Sequence, residues 1–270
     1  MMKPLVLLLC SVLGASDAKA QILWQLANGE WQPYQSADLP QYGFASAVVR
    51  EAAALAGIRV HYVFYPWKRA EEMVSHGLVD GSLVWSRSPL RDAFALFSDP
   101  IISDREVLIH RIDRPLADWP QRERWHGVKL ALPLGSRPFE ELTLLERQGR
   151  VEYHRVESAE AGLRMILAGR LHAMTLAEGV YRQLRWQSGI RQEQVWLTTL
   201  PSPLETVAFS LMLSRRSPRA PTVLAAFNRG LQQLKQNGRY AQLARQLLPV
   251  DIAPLIIDTK RPAALGRPTP

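Results

Sequence analysis

Between Ile22 and Val84 short apolar runs alternate with helical patterns at the spacing of a βαβ array, and this alternation confines the chain to an α/β architecture. Ile22 to Ala27 predicts a first strand, stopped by Asn28-Gly29. Phe44, Val48, Ala52 and Leu55 recur at helical spacing up to Ala56, and Gly57 closes that helix. Ile58 to Phe64 alternates and is rich in β-branched and aromatic residues, which predicts a strand. Pro66 suits a first helical turn, where its missing N–H is not needed; Ala70, Met73 and Val74 face inward and Gly77 is the stop. Val79 to Val84 predicts a third strand, with a short helix from about Ser88-Pro89. Connections this short favour a mainly parallel sheet covered on both faces.

The spacing changes after a strand at Val107–His110, because Arg111 to Trp125 is rich in Pro, Asp and Arg and reads as a connector with one short helix. A second α/β array follows: a strand at Val128–Leu132, a helix opened by Gly135-Ser136-Arg137-Pro138 and running to about Gln148, and a strand at Val151–Val156. A helix at Ser158–Ala168, a strand at Leu171–Leu176, a helix at Ala177–Trp186 and strands at Val195–Leu197 and Thr206–Leu213 continue it. Pro221–Gln236 and Arg239–Leu248 are closing helices separated by Asn237-Gly238. Residues 251–270 turn to Pro, Arg, Thr and Ala without period and read as a poorly ordered tail.

Met1 to Ala20 has the parts of a signal peptide: Lys3, the apolar run Leu5–Leu13 and the Ala18-Lys19-Ala20 cleavage site, so the mature chain is expected to begin at Gln21 and to be periplasmic. The run falls short of the roughly 20 residues a membrane anchor needs. A lipoprotein reading of Cys10 meets a bulky Leu9 where a small residue is wanted. Cleavage removes the only cysteine, which leaves no disulfide and no thiolate chemistry. The formal charge of +8, from 33 Lys+Arg and 25 Asp+Glu, becomes 31 − 24 = +7 without Lys3, Lys19 and Asp17. The arginines are scattered and interleaved with Glu rather than gathered into a stripe, so nucleic acid is not an expected partner. There is no G-x-S-x-G elbow and no phosphate-cradling P-loop, and the six histidines (His61, His76, His110, His126, His154, His172) lack metal-ligand spacing; no metal or cofactor is expected.

Several short motifs, in combination and in this order, carry a family resemblance: Trp31-x-Pro33-Tyr34, Gly43-Phe44, Tyr65-Pro66-Trp67-Lys68-Arg69-Ala70, Gly77-x-x-Asp80-Gly81, Ser88-Pro89-Leu90-Arg91 and Phe97-Ser98-Asp99-Pro100. Leu167-Ala168-Gly169-Arg170 and Asn237-Gly238-Arg239-Tyr240 continue the series. From about Ile22 to Leu248 the chain resembles the family 3 solute-binding proteins, the amino-acid-type periplasmic receptors of ABC importers. The resemblance implies a type II periplasmic-binding fold: two α/β lobes, residues 21–108 with 206–250 and residues 109–205, joined by two crossover segments. It implies a small amino-acid-like or organic-acid ligand held between the lobes of a monomer, no catalysis, and importer membrane subunits or a sensory partner.

By that resemblance Arg91 grips a ligand carboxylate. Its place at a strand-to-helix turn suits an anion and its guanidinium offers a bidentate clamp; the alternative is an ion pair with Asp92 or Glu72. Ser86 and Ser88 either donate to the same group or serve turn and N-cap chemistry. Gly135-Ser136 matches the turn of the second lobe that meets the ligand, and Arg137 stands where the family often has Thr, either as a second cation or pointing to solvent. Tyr34, Trp67 and Trp85 are candidate aromatic walls, with core packing as the alternative and the better one for Trp67. The chain departs from the family at Ala177, where amino-acid receptors place an ammonium-binding Asp; Glu178 is the neighbouring acid and the expected substitute. His172 and Ser46 also stand where Asp is common. A second reading is a cyclohexadienyl-type dehydratase on the same scaffold, with Glu178 as general acid.

Overall fold

The computed structural model describes residues 22–134, 136, 138–187 and 197–258. The expected signal peptide, Gly135 and Arg137 lie outside the described residues. The first array is β1 (Ile22–Asn28), α1 (Phe44–Leu55), β2 (Ile58–Phe64), α2 (Trp67–Ser75) and β3 (Gly81–Trp85). A single turn, α3 (Pro89–Asp92), leads into β4 (Ala95–Arg111). The second array is β5 (Val128–Pro133), α4 (Glu140–Arg147), β6 (Val151–Val156), α5 (Ala159–Leu167), β7 (Ala173–Ala177) and α6 (Glu178–Gln187). The described chain then forms β8 (Leu197–Thr199), β9 (Glu205–Ser214), α7 (Ala220–Gln236), α8 (Arg239–Leu247) and α9 (Ala253–Ile257).

All of these strands join one sheet in the order β2-β1-β3-β9-β4-β7-β5-β6, with β8 also paired to β4. β1 runs parallel to β2 and β3, and β5 runs parallel to β6 and β7. Between these two parallel halves stands the antiparallel pair β4 and β9. β4 is paired with β9 from Ala95 to Glu106 and with β7 from Glu106 to His110, so it changes partner at Glu106.

Each half is a three-layer sandwich. In the first, Leu26, Leu83 and Ile101 meet Phe44, Val48, Phe227 and Leu231 of α1 and α7, all at most 1 % exposed. The other face buries Ala27, Trp85 and Met212 under Ala70 and Val74 of α2. Contact between α1 and α7 is close because Gly230 has no side chain; a Cβ there would lie 2.3 Å from the Ala52 carbonyl oxygen. In the second half Val107, Ile109 and Met174 pack under Leu163 and Ile166 of α5. Leu108, Leu130 and Ala173 pack under Leu142 and Leu145 of α4 with Trp119 and Trp125.

Two expectations need correction. The strand expected at Val107–His110 begins at Ala95, because Pro100 is accommodated where the β4/β9 register shifts, between Phe97 and Ile102. The start of the tail expected to be poorly ordered over residues 251–270 instead forms α9, with Ile252 and Ile256 at most 2 % exposed in the core of the first half, while residues 259–270 lie outside the described residues. Composition hid it: the helix is only five residues long and is held by packing rather than propensity. Ile252→Ala is expected to cost about 2–4 kcal/mol. A urea titration checks this; an unchanged midpoint would mean that the segment is not docked.

Candidate functional site

Parallel strands place function at their C-terminal ends, where the following turns expose backbone N–H groups and side chains. At the end of β3 the backbone departs from strand geometry. Val84 has φ +52°, and the pairing with β9 shifts register between Ser82 and Trp85. A β-branched residue reaches that region only at a cost of about 1–3 kcal/mol. The bend fixes Trp85, whose indole Nε1 donates to the Ser82 hydroxyl at 2.7 Å. The Trp67 ring stands edge-on to it, 5.4 Å away, with its own Nε1 donating to the Glu30 carbonyl at 3.3 Å.

Arg91 lies over this aromatic platform, its guanidinium carbon 4.6 Å from the Trp85 ring centre. Nε donates to Glu71 at 2.9 Å, and Nη1 donates to the Ser86 carbonyl at 2.9 Å and its hydroxyl at 3.3 Å. The Ser88 hydroxyl caps α3 by accepting from the Arg91 backbone N–H at 3.4 Å. Among the described residues Nη2 has no hydrogen-bond partner. The guanidinium is therefore stacked and oriented through Nε and Nη1. Neither expected ion-pair partner is used: Asp92 binds Arg87 and Glu72 binds Arg69. Glu71, which the sequence reading passed over, is the partner, one helical position before Glu72.

At the end of β5, Ser136 is exposed; its N–H donates to the Pro133 carbonyl at 3.0 Å and its carbonyl accepts from Arg155 at 3.3 Å. Glu178, expected to face a ligand ammonium or to donate a proton, instead opens α6 inside an ion-pair cluster. Its Oε2 accepts from Arg105 Nη2 at 2.5 Å, and its Oε1 accepts from Arg182 Nε and Nη2 at 3.0 and 2.6 Å. Both oxygens are committed to guanidinium donors, which suits neither expected role. Arg182 sits one turn on in α6 and Arg105 73 residues away, so only the nearer cation was visible in sequence.

Tyr34 is a buried strut rather than a wall. It is 0 % exposed, its ring packs 4.7 Å from that of Trp31, and its hydroxyl donates a short hydrogen bond to Asp104 on β4. Asp104 also accepts from the Gly179 N–H at 3.0 Å and the Arg105 N–H at 2.8 Å. Gly179 is required there, since a Cβ would fall 2.0 Å from the Tyr34 oxygen. Burial pushes the Asp104 carboxyl up to about 6, against the pull of its three donors and with some help from the Glu178 charge. Burial also raises the Tyr34 hydroxyl, with Asp104 adding to it. Glu106, two residues along β4, is raised well above its ordinary value, first by burial and then by Asp104, with the Thr175 hydroxyl offsetting part of it and Glu205 adding to it. Asp104, Arg105 and Glu106 were missed because a charged run in sequence looks like a solvated face.

This arrangement defines a class: a ligand-binding α/β scaffold of the type II periplasmic-binding fold, with an oriented cation at a strand end. The model of the bacterial extracellular solute-binding proteins, family 3, matches residues 26–249, and the chain belongs to that family. None of the curated proteins matches it. Among solved structures it resembles the GluR0 ligand-binding core from Nostoc punctiforme in complex with L-glutamate (18 % identity, TM-score 0.66, 83 % of this chain and 98 % of that one). It also resembles a histidine kinase sensor domain with similarity to periplasmic binding proteins (19 %, 0.65, 84 % and 97 %). A third likeness is to the ancestral amino-acid-binding protein AncCDT-1, a precursor of cyclohexadienyl dehydratase (17 %, 0.62, 84 % and 95 %). No helix of the described residues is long and apolar enough to cross a membrane.

The Asp104 environment predicts a pH dependence. Its folded value of about 6 lies above the ordinary 3.8, so the folded state binds the proton more tightly. The stabilisation this gives is complete below about pH 4 and is lost as pH rises through 6, on the order of 3 kcal/mol. The stability of the wild type minus that of Asp104→Asn, from urea titrations, is expected to fall over that window; a difference constant in pH would reject the assignment.

Proposed function

We propose that the chain is an exported, periplasmic receptor that captures a small amino-acid-like or organic-acid ligand between two lobes and hands it to an ABC importer or a sensory partner. The proposed lobes are residues 21–108 with 206–250 and residues 109–205, with β4 and β9 as the crossovers. The change of partner along β4 at Glu106 supports that division, since the strand belongs to the first half on one side of it and to the second on the other. Family membership and a fold shared with glutamate- and amino-acid-binding structures support the ligand class.

The observation that carries the reading is Arg91. A guanidinium stacked on Trp85 and anchored through Nε and Nη1, with Nη2 unpartnered among the described residues, is preorganised for a carboxylate. Ser86 and Ser88 act through Arg91: one orients its side chain and the other caps the turn that bears it. Trp67 braces Trp85. A simple receptor fits better than the dehydratase reading, because Glu178 spends both oxygens on arginines. The proposed working form is a monomer.

A thermal-shift screen of amino acids, amines and organic acids supplies the ligand. Arg91→Lys keeps the charge but loses the planar fork, and is expected to weaken the best carboxylate-bearing hit by about 10- to 100-fold. Calorimetry reads this out; an affinity within twofold of the wild type would reject the carboxylate role.

A further inference from the structure

Helix α6 continues the second array, and Tyr181 is buried in that half's core beside Val107 and Ile109, with Leu184 packed against it. Its other side belongs to the first half. Ala177 just before it and Val180 within it are buried in the core that holds Phe44, Ile101 and Leu248. One helix therefore sits in two cores, and any change of angle between the halves has to move it against the first. What it meets there is α9.

The segment that carries α9 lies past residue 249, where the match to the family ends. Its turn is set by Pro249, whose carbonyl accepts from the Ile252 N–H at 2.9 Å and the Ala253 N–H at 3.0 Å. Ile252, Ala253 and Ile256, at most 4 % exposed, join Leu243, Ala244 and Leu248 in the first core, where α9 touches α8 and β4. The same segment grips α6. A Cβ on Gly179 would stand 3.1 Å from Ile252 Cγ2, so Ile252 packs on the backbone of the first turn of α6. One turn on, Arg182 Nη1 donates to the Asp251 carbonyl at 3.2 Å and stands 3.9 Å from its carboxylate. Arg182 Nε and Nη2 are held by Glu178, and Glu178 by Arg105 of β4, so the guanidinium is fixed in the direction of Asp251. Further along, Leu184 packs with Ile257 against the same first core. From Gly179 to Leu184 the contact runs along about 8 Å of helix axis. A contact at a pivot turns with it, whereas one spread along a helix has to slide.

We propose that residues 250–257 are a strap across the junction. They hold α6, and with it the second half, at one angle to the first, and the surface between α6 and α9 is where the halves shear when that angle changes. Arg182 carries the polar part of the strap and Ile252 the apolar part. For its use this rests on the receptor reading: a ligand that binds at another angle has to supply the free energy of moving that surface, so the strap sets apparent affinity from outside the ligand site.

The test is made without ligand on residues 21–270. Spin labels on Gln233→Cys in α7 and Glu146→Cys in α4, both exposed, report the angle between the halves. Double electron–electron resonance compares this labelled background with a chain ending at Pro249, with Arg182→Gln and with Arg164→Gln. The last of these cuts an exposed ion pair with Glu160 on α5, inside the second half. The shortened chain and Arg182→Gln are expected to give distance distributions about 1.5-fold wider than the background, and Arg164→Gln the background width. Broadening of the shortened chain alone supports the strap and assigns it to the apolar contact. Should the shortened chain fail to fold by circular dichroism, Arg182→Gln decides alone. Background width in every folded strap variant would overturn the strap and leave α9 a part of the first core only. Equal broadening in Arg164→Gln would overturn it too, since the effect would then follow the loss of any ion pair. No ligand enters the measurement, so its failure leaves the receptor reading standing; that reading fails separately if the thermal-shift screen yields no hit.

Discussion

Strand β4 has to satisfy two sets of neighbours, and the rest of the architecture follows from how it does so. Its first part completes the sheet of the first array through β9, and its last part opens the sheet of the second array through β7. A strand shared in this way carries hydrogen bonds from both halves; α1, α2 and α7 bury the first half and α4 and α5 the second, while α6 packs on both, through Val180 against the first core and Tyr181 against the second. The backbone that joins the halves is thus extended and paired, and most of the buried apolar contact lies within a half.

The polar groups at the junction divide into two kinds. One kind is closed. Tyr34, Asp104 and Gly179 tie the turn after β1, strand β4 and the start of α6 together, and Arg105, Glu178 and Arg182 tie the same helix to β4 and, through the Asp251 carbonyl, to the segment before α9. Of their buried side-chain nitrogens and oxygens, Arg105 Nη1 alone is without a hydrogen-bond partner among the described residues. The other kind is incomplete: Arg91 has a nitrogen without a hydrogen-bond partner among the described residues. Closed groups give a fold its uniqueness.

Much of the fold could be read from sequence because local signals agreed with the tertiary outcome. β2 and β6 have the limits expected from sequence, and α1 ends two residues before the glycine that predicted its stop. β4 could not be read in full, because Asp99-Pro100 has the chemistry of a turn and only pairing with β9 holds it extended. The site was less legible for a related reason. Arg91 drew attention through the family resemblance and the turn chemistry around it, but its ion-pair partner Glu71 lies 20 residues away and shares no motif with it. Tyr34 reads as a rim aromatic until its partner, 70 residues on, accounts for its hydroxyl. Glu178 reads as an ammonium ligand until Arg105 claims it. In each case the deciding contact crosses the sheet, where periodicity carries no information.

The central claim is that the two halves close about the β4 and β9 crossovers on a small ligand. Spin labels on Lys68→Cys in α2 and Glu146→Cys in α4, both exposed and in opposite halves, report on it directly, because residues 21–270 contain no native cysteine. Double electron–electron resonance is expected to give a shorter and narrower distance distribution at saturating ligand than without it. Identical distributions in the two conditions, with calorimetry confirming saturation, would contradict the account.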